Sequence, residues 1–254
     1  NILGTWMRNP STQTTYVFEG ANTIDKFITD AAIDNFKLAA GATLTAPQDI
    51  TVTTDVENHE VVYENGTYKL VEKKVAVAKI GEQGYETLAA AIAAAKAGDT
   101  ITFLADITEN VTINKSVTID GAGKTYTGTM TVSNGKTVTI QNVKLDNGGI
   151  VKAKGTSGTL TVKNCEFDGA GKFAYPVRIN GASTVVVEDC TVNNYLYSFL
   201  YVTSGTNTVS VKNVTVENCP NYAVYFASGV NNATFENLTV KNSDNGFVIN
   251  NTAN

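Results

Sequence analysis

The sequence predicts an all-β solenoid with an N-terminal capping helix and a small preceding β region, and three observations predict it. First, one ten-residue pattern recurs at 137–146 (TVTIQNVKLD), 159–168 (TLTVKNCEFD), 184–193 (TVVVEDCTVN), 208–217 (TVSVKNVTVE) and 232–241 (NATFENLTVK), with a period of about 24 residues. A fixed period of this size marks a stack of units, none of which can bury its apolar face alone. Second, within each copy the apolar residues alternate with polar ones, as on a strand with one buried face. Third, an alanine-rich helical segment stands immediately before the first copies, where the open end of a solenoid needs cover.

In chain order, residues 1–15 show no periodicity and read as an irregular lead-in. Short strand-like runs follow at 16–18, 27–28, 36–38 and 43–45, separated by Gly20, Asp30, Gly41 and Pro47. They are either degenerate coils or a small separate sheet. Residues 60–71 form a hairpin, because Asn65-Gly66 supplies the two positive-φ positions of a tight turn. His59, the single histidine, stands at its entrance with no patterned Ser, Cys or acid around it and reads as solvated. The pattern places a helix over 85–97, with Leu88, Ile92 and Ala95 on one face and Gly98 closing it. Strands then begin at Thr100. The expected division is a β region over 1–77 and the solenoid over 78–254.

Composition narrows the function. Charged residues make up 17% of the 254, the net charge is −5, and Arg8 and Arg178 are the only arginines. No basic face for nucleic acid is present, and no apolar run is long enough for a membrane span. The three cysteines, Cys165, Cys190 and Cys219, lack metal-ligand spacing. Cys165 and Cys190 fill the same slot of neighbouring copies and read as small buried apolar residues. No metal or cofactor is expected.

The segment 78–106, AKIGEQGYETLAAAIAAAKAGDTITFLAD, continuing into 111–121, VTINKSVTIDG, resembles the entry into the right-handed parallel β-helix of the pectin-lyase-like superfamily, in particular modules of large bacterial cell-surface proteins. The resemblance covers about residues 78 to 254 and implies a right-handed coil; it says little about activity. Enzymes of that superfamily work with clusters of acids, often with a basic residue beside them. Here the acids Asp146, Asp168, Glu188 and Glu217 read as turn or outer-face residues with no Asp–Asp pair among them. The residual catalytic grouping is Arg178 with Asp168 and Lys172.

Within a copy, Val138, Ile140, Val143 and Leu145 point inward, and Gln141-Asn142 turns the chain between two sheets. Asn142, Asn164, Asp189, Asn213 and Asn237 then align as a structural ladder, since Asn tolerates left-handed dihedrals and its amide reaches the coils above and below. The stretches between copies vary and carry aromatics. Phe173, Tyr175, Arg178, Tyr195, Tyr197 and Tyr222 are the candidate ligand-binding residues, because flat rings with polar edges suit sugars. The expectation is a non-catalytic extracellular module of a surface protein, acting as adhesin, stalk or filament subunit, with a glycan or another cell-surface ligand as partner. Self-association through an uncapped C-terminal coil is a further expectation. The alternative is a polysaccharide lyase or glycoside hydrolase acting on acidic polysaccharide.

Overall fold

The computed structural model describes residues 2–6, 15–27, 35–47, 50–155, 157–181, 183–203, 207–227 and 230–249. It divides into two units, 1–74 and 75–254. In the first unit, successive strands alternate between two small parallel ladders. Ile2–Trp6, Ala21–Phe27 and Thr43–Thr45 form one, and Thr15–Phe18, Asn35–Leu38 and Val52–Thr53 form the other. The runs between Tyr16 and Thr45 are therefore coil-like rather than a separate meander, and Phe18, Ile24, Phe36, Leu38 and Leu44 fill the space between the ladders. Residues 2–6, expected to be irregular, form a strand because they pair in parallel with Ala21–Phe27. The hairpin runs through His59–Glu64 and Thr67–Glu72 across Asn65 (φ 51°) and Gly66 (φ 79°), and it continues the first ladder in antiparallel fashion.

The second unit is a parallel β-helix with three strand faces per coil. The first face stacks Thr100–Phe103, Thr118–Asp120, Thr137–Gln141 and Thr159–Lys163, then the opening halves of Ser183–Asn193, Asn207–Glu217 and Val230–Lys241. The later halves of those long strands belong to the second face, with Glu166–Asp168 and the start of Lys144–Lys152 beneath them. The third face stacks Val177–Ile179, Ser198–Val202, Tyr222–Phe226 and Asn245–Ile249 on the end of Lys144–Lys152.

Period-2 alternation aims every other residue inward, so register turns alternation into columns. Ile101, Ile119, Ile140, Val162, Val187 and Val211 form one such column, all buried. Each side chain contributes about 1.5–3 kcal/mol of burial. Cys165 and Cys190 occupy neighbouring levels as free, buried thiols, and Cys219 is buried as well. Its hydrogen bond to Cys165 and its burial push the Cys190 thiol far up, so it stays protonated.

Two corners between faces are built the same way. At the first, Asn142, Asn164, Asp189, Asn213 and Asn237 all have φ between 50° and 55°. Amide nitrogens donate down the stack from Asn142 to Asp120 (3.0 Å), Asn164 to Asn142 (2.7 Å), Asn213 to Asp189 (2.8 Å) and Asn237 to Asn213 (2.9 Å). The second corner lies five residues on. Asn147, Asn194, Asn218 and Asn242 share the left-handed conformation there, and on the level of Asn164, where Gly169 holds that position, Ala170 adopts it one residue later. Asn242 donates to Asn218 (3.1 Å), Asn218 to Asn193 (2.8 Å) and Asn194 to Asp168 (3.2 Å).

The helix is shorter than expected, Leu88–Ala94. Tyr85 is instead paired in the strand Gln83–Tyr85, Thr87 caps the helix by accepting from the Ala90 N–H, and Ala95 already has extended dihedrals. Alanine propensity favours a longer helix, but strand pairing at one end and the turn into Thr100 at the other override it. Leu88, Ala91 and Ile92 enter the solenoid core, while Ala78–Ile80 pairs antiparallel with Thr100–Phe103 and covers its edge.

Candidate ligand-binding site

The second corner leads into turns of unequal sequence, yet their backbones stay in register. The Leu196 N–H donates to the Phe173 carbonyl (2.9 Å), the Tyr197 N–H to that of Ala174 (3.2 Å) and the Tyr222 N–H to that of Tyr197 (2.9 Å). The Asn221 side-chain amide adds a bond to the Leu196 carbonyl at 2.9 Å. Turn residues of successive coils are thereby stacked, and the same ladder continues through the third face. On that face Leu200 and Val202 point inward, so Tyr201 points out. Arg178, Tyr201 and Tyr225 are direct register partners.

The result is a connected row of tyrosines. Tyr175 stacks on Tyr201 with centroids 4.5 Å apart and planes at 15°, and on Tyr197 at 5.7 Å. Tyr201 meets Tyr225 at 5.2 Å, and Tyr225 meets Tyr222 at 5.3 Å. Such pairs add about 0.5–1.5 kcal/mol each beyond area burial. Tyr175, Tyr197, Ser198, Tyr201, Tyr222 and Tyr225 line an open notch of about 250 Å³. The Arg178 guanidinium lies 6.0 Å from the Tyr175 centroid and 5.8 Å from that of Tyr201, with its Nε–H donated to Asn180 Oδ1 at 3.0 Å. Burial, then the Tyr201 hydroxyl, pushes the Tyr175 phenol up, so it is a donor at neutral pH. Tyr175 stacks on Tyr197 and Tyr201, whereas Tyr225 is tilted against both Tyr201 and Tyr222. Tyr197, 48% exposed, is the ring of the row most open to solvent.

Of the six candidates read from sequence, Tyr175, Arg178, Tyr197 and Tyr222 come together here. Tyr195 does not: its ring is fully buried and its hydroxyl donates to the Gly148 carbonyl at 2.9 Å. The coil below makes room for it with Gly169, where an added Cβ would stand 2.9 Å from Tyr195 Cγ and 2.7 Å from the Asn194 carbonyl oxygen. Phe173 turns inward too, packing on the core beside Gly149. Tyr201 and Tyr225 were missed because FLYV and AVYF read as apolar strand runs. Strict alternation across either run puts its tyrosine outside.

The catalytic grouping does not assemble. Asp168 closes its own turn by accepting from the Ala170 N–H (2.8 Å) and from the Asn194 amide (3.2 Å), while Arg178 stands among the tyrosines. One expectation is corrected: Asp146 and Asp168, 22 residues apart in sequence, are register partners on adjacent coils and do form an Asp–Asp pair. They line a larger notch of about 570 Å³ with Ala170, Asn194, Leu196 and Pro220, and no cationic side chain is among its lining residues. Among the described residues no group of three His, Cys, Asp or Glu side chains is arranged to hold a metal ion.

The family model for the right-handed beta helix region matches residues 96–240, more than half of the chain. This chain belongs to that family. Its fold is accordingly the pectin-lyase-like right-handed parallel β-helix, with one short helix among the described residues. No match is found among curated proteins or among solved structures.

Proposed function

We propose that this chain is a non-catalytic binding module of an extracellular β-helix protein, serving as adhesin, stalk or filament subunit, and that the tyrosine notch takes a glycan. One observation carries the reading: five tyrosines from three successive coils converge on one open notch. A sugar presents an apolar ring face and a rim of hydroxyls. The exposed Tyr197 ring suits the face, and the remaining phenols and Ser198 suit the rim. The extracellular role rests on the resemblance of the helix-to-strand entry to modules of bacterial surface proteins.

A glycan array probed with the protein and with Tyr197→Ala tests this. Binding to a restricted set of glycans that weakens about tenfold or more in the variant, a change of about 1.4 kcal/mol, is the expected outcome. An array with no specific signal contradicts the reading. The Asp146–Asp168 pair is what favours a second reading, hydrolysis of a polysaccharide. New reducing ends released by the protein, and lost in Asp146→Asn, would establish it and displace the first.

A further inference from the structure

The two ends of the solenoid are finished differently. At the first coil, Ala78–Ile80 pairs antiparallel with Thr100–Phe103 and occupies its edge, while Leu88, Ala91 and Ile92 of the helix fill the core beside it. The last described coil, residues 230–249, has no such cover. Among the described residues its strands Val230–Lys241 and Asn245–Ile249 form ladders only with the coil beneath, Asn207–Glu217 and Tyr222–Phe226. Apolar columns that are buried one level down come to the surface there. Val211, Val214, Val216 and Val224 are buried, whereas their register partners Phe235, Leu238 and Val240 are half-buried and Phe247 is 47% exposed. Open edges of native sheets are commonly protected by an inward charge or a proline. The inward positions of this edge, Ala233, Phe235, Leu238, Val240 and Phe247, are all apolar, and neither strand contains proline. Glu236 and Lys241, the charged residues of the longer strand, point outward and are neutralised by Lys212 and Glu217 of the coil beneath.

An occupant of this face must offer unpaired strand edges and apolar side chains at the spacing of a coil. The open coil of another copy offers both. Its capped first coil does not, so copies cannot stack head to tail. We infer that two copies of this chain associate end to end through the coils 230–249, about a two-fold axis, with strands antiparallel across the interface. Two-fold pairing covers both open ends at once, so assembly through this face stops at two. One side of a standard interface comprises about 20–30 residues, and 230–249 supplies the lower figure. None of these residues lines the tyrosine notch, so the inference stands apart from the glycan reading.

The test is sedimentation velocity of the intact chain over a dilution series. The mass is expected to move from one chain at low concentration to two at high concentration and no further. Leu238→Lys and Phe247→Lys each place a charge in the interface at a position already touched by water, so the single chain keeps its fold, which circular dichroism verifies. A buried charge without a partner is costly, and each variant is expected to weaken the dimer at least about 100-fold. Leu104→Lys, at an exposed apolar residue of the capped first coil, is expected to leave it unchanged. Hydrogen exchange needs no variant: on concentrating the unmodified chain, amides within 230–249 are expected to exchange more slowly. A single chain at every concentration overturns the inference and leaves the face to a different occupant. A dimer that both lysine variants form at full affinity, with no added protection over 230–249, overturns it too, as does growth beyond two copies.

Discussion

At the scale of the residue, the two positions that break the solenoid's own rules are the most informative. Asp189 occupies a corner where the other four levels have Asn. It accepts from Asn213, but a carboxylate has no amide hydrogen to pass down, so Asn164 Oδ1 receives nothing from the coil above. Asp189→Asn is expected to complete the ladder and stabilise the protein by about 0.5–1.5 kcal/mol, the net worth of one hydrogen bond. Urea unfolding measures it, and a lowered midpoint contradicts the ladder account. Lys152 is the second case. Its side chain is fully buried in the column Val132, Lys152, Ile179, Val202, where among the described residues only the Ser133 carbonyl, at 3.3 Å, accepts from it. Burial lowers its amine below the usual 10.5. The unfolded chain therefore binds the Lys152 proton more tightly than the folded one. Its cost is fully present below the folded value and is relieved as pH rises towards 10.5. Lys152→Met is expected to raise stability at pH 7 by about 1–3 kcal/mol. The difference between the two proteins is expected to shrink as pH climbs to 10; a constant gap excludes titration as its origin.

At the scale of the element, the ends and turns decide which parts of the repeat can change. The first two free N–H groups of the helix Leu88–Ala94 are bound by the two carboxylate oxygens of Glu109, at 3.0 and 3.3 Å, from a coil 21 and 20 residues downstream. That carboxylate satisfies open donors and faces the positive end of the helix. Glu109→Ala is expected to cost about 1 kcal/mol, read from thermal unfolding. Gly169→Ala is expected to cost about 1–3 kcal/mol through overpacking against the Asn194 carbonyl and the Tyr195 ring. An unchanged melting temperature for Gly169→Ala contradicts the placement of Tyr195 in the core. Such interlocks explain what could be read in advance. The inward columns and the first Asn corner follow from alternation and repetition alone, both local properties. Asp146 and Asp168 close two aligned copies of the repeat, so their pairing follows from the same repetition. Arg178 with Tyr201 and Tyr225 depends on register beyond turns of unequal length, which hide it in the one-dimensional sequence. The second corner was hidden for a related reason: Gly169 stands where the other levels have Asn, and the left-handed residue of that level is Ala170, one place later.

At the scale of the whole molecule, the β-helix divides labour between interior and turns. Stacked apolar columns and two asparagine corners hold the coil, and they leave the turn between the second and third faces free to vary in length. Two notches result, joined through adjacent residues: Leu196 lines the acidic one and Tyr197 the tyrosine one. The central claim is that the tyrosine notch is where the ligand sits. The most direct test is to titrate a glycan found on the array into Tyr197→Ala, Tyr225→Ala and Asp146→Asn in parallel, with circular dichroism to verify each fold. The account predicts that both tyrosine variants weaken binding about tenfold or more while Asp146→Asn binds as the parent does. Full affinity in the tyrosine variants, with binding lost in Asp146→Asn, would contradict it and move the site to the neighbouring notch.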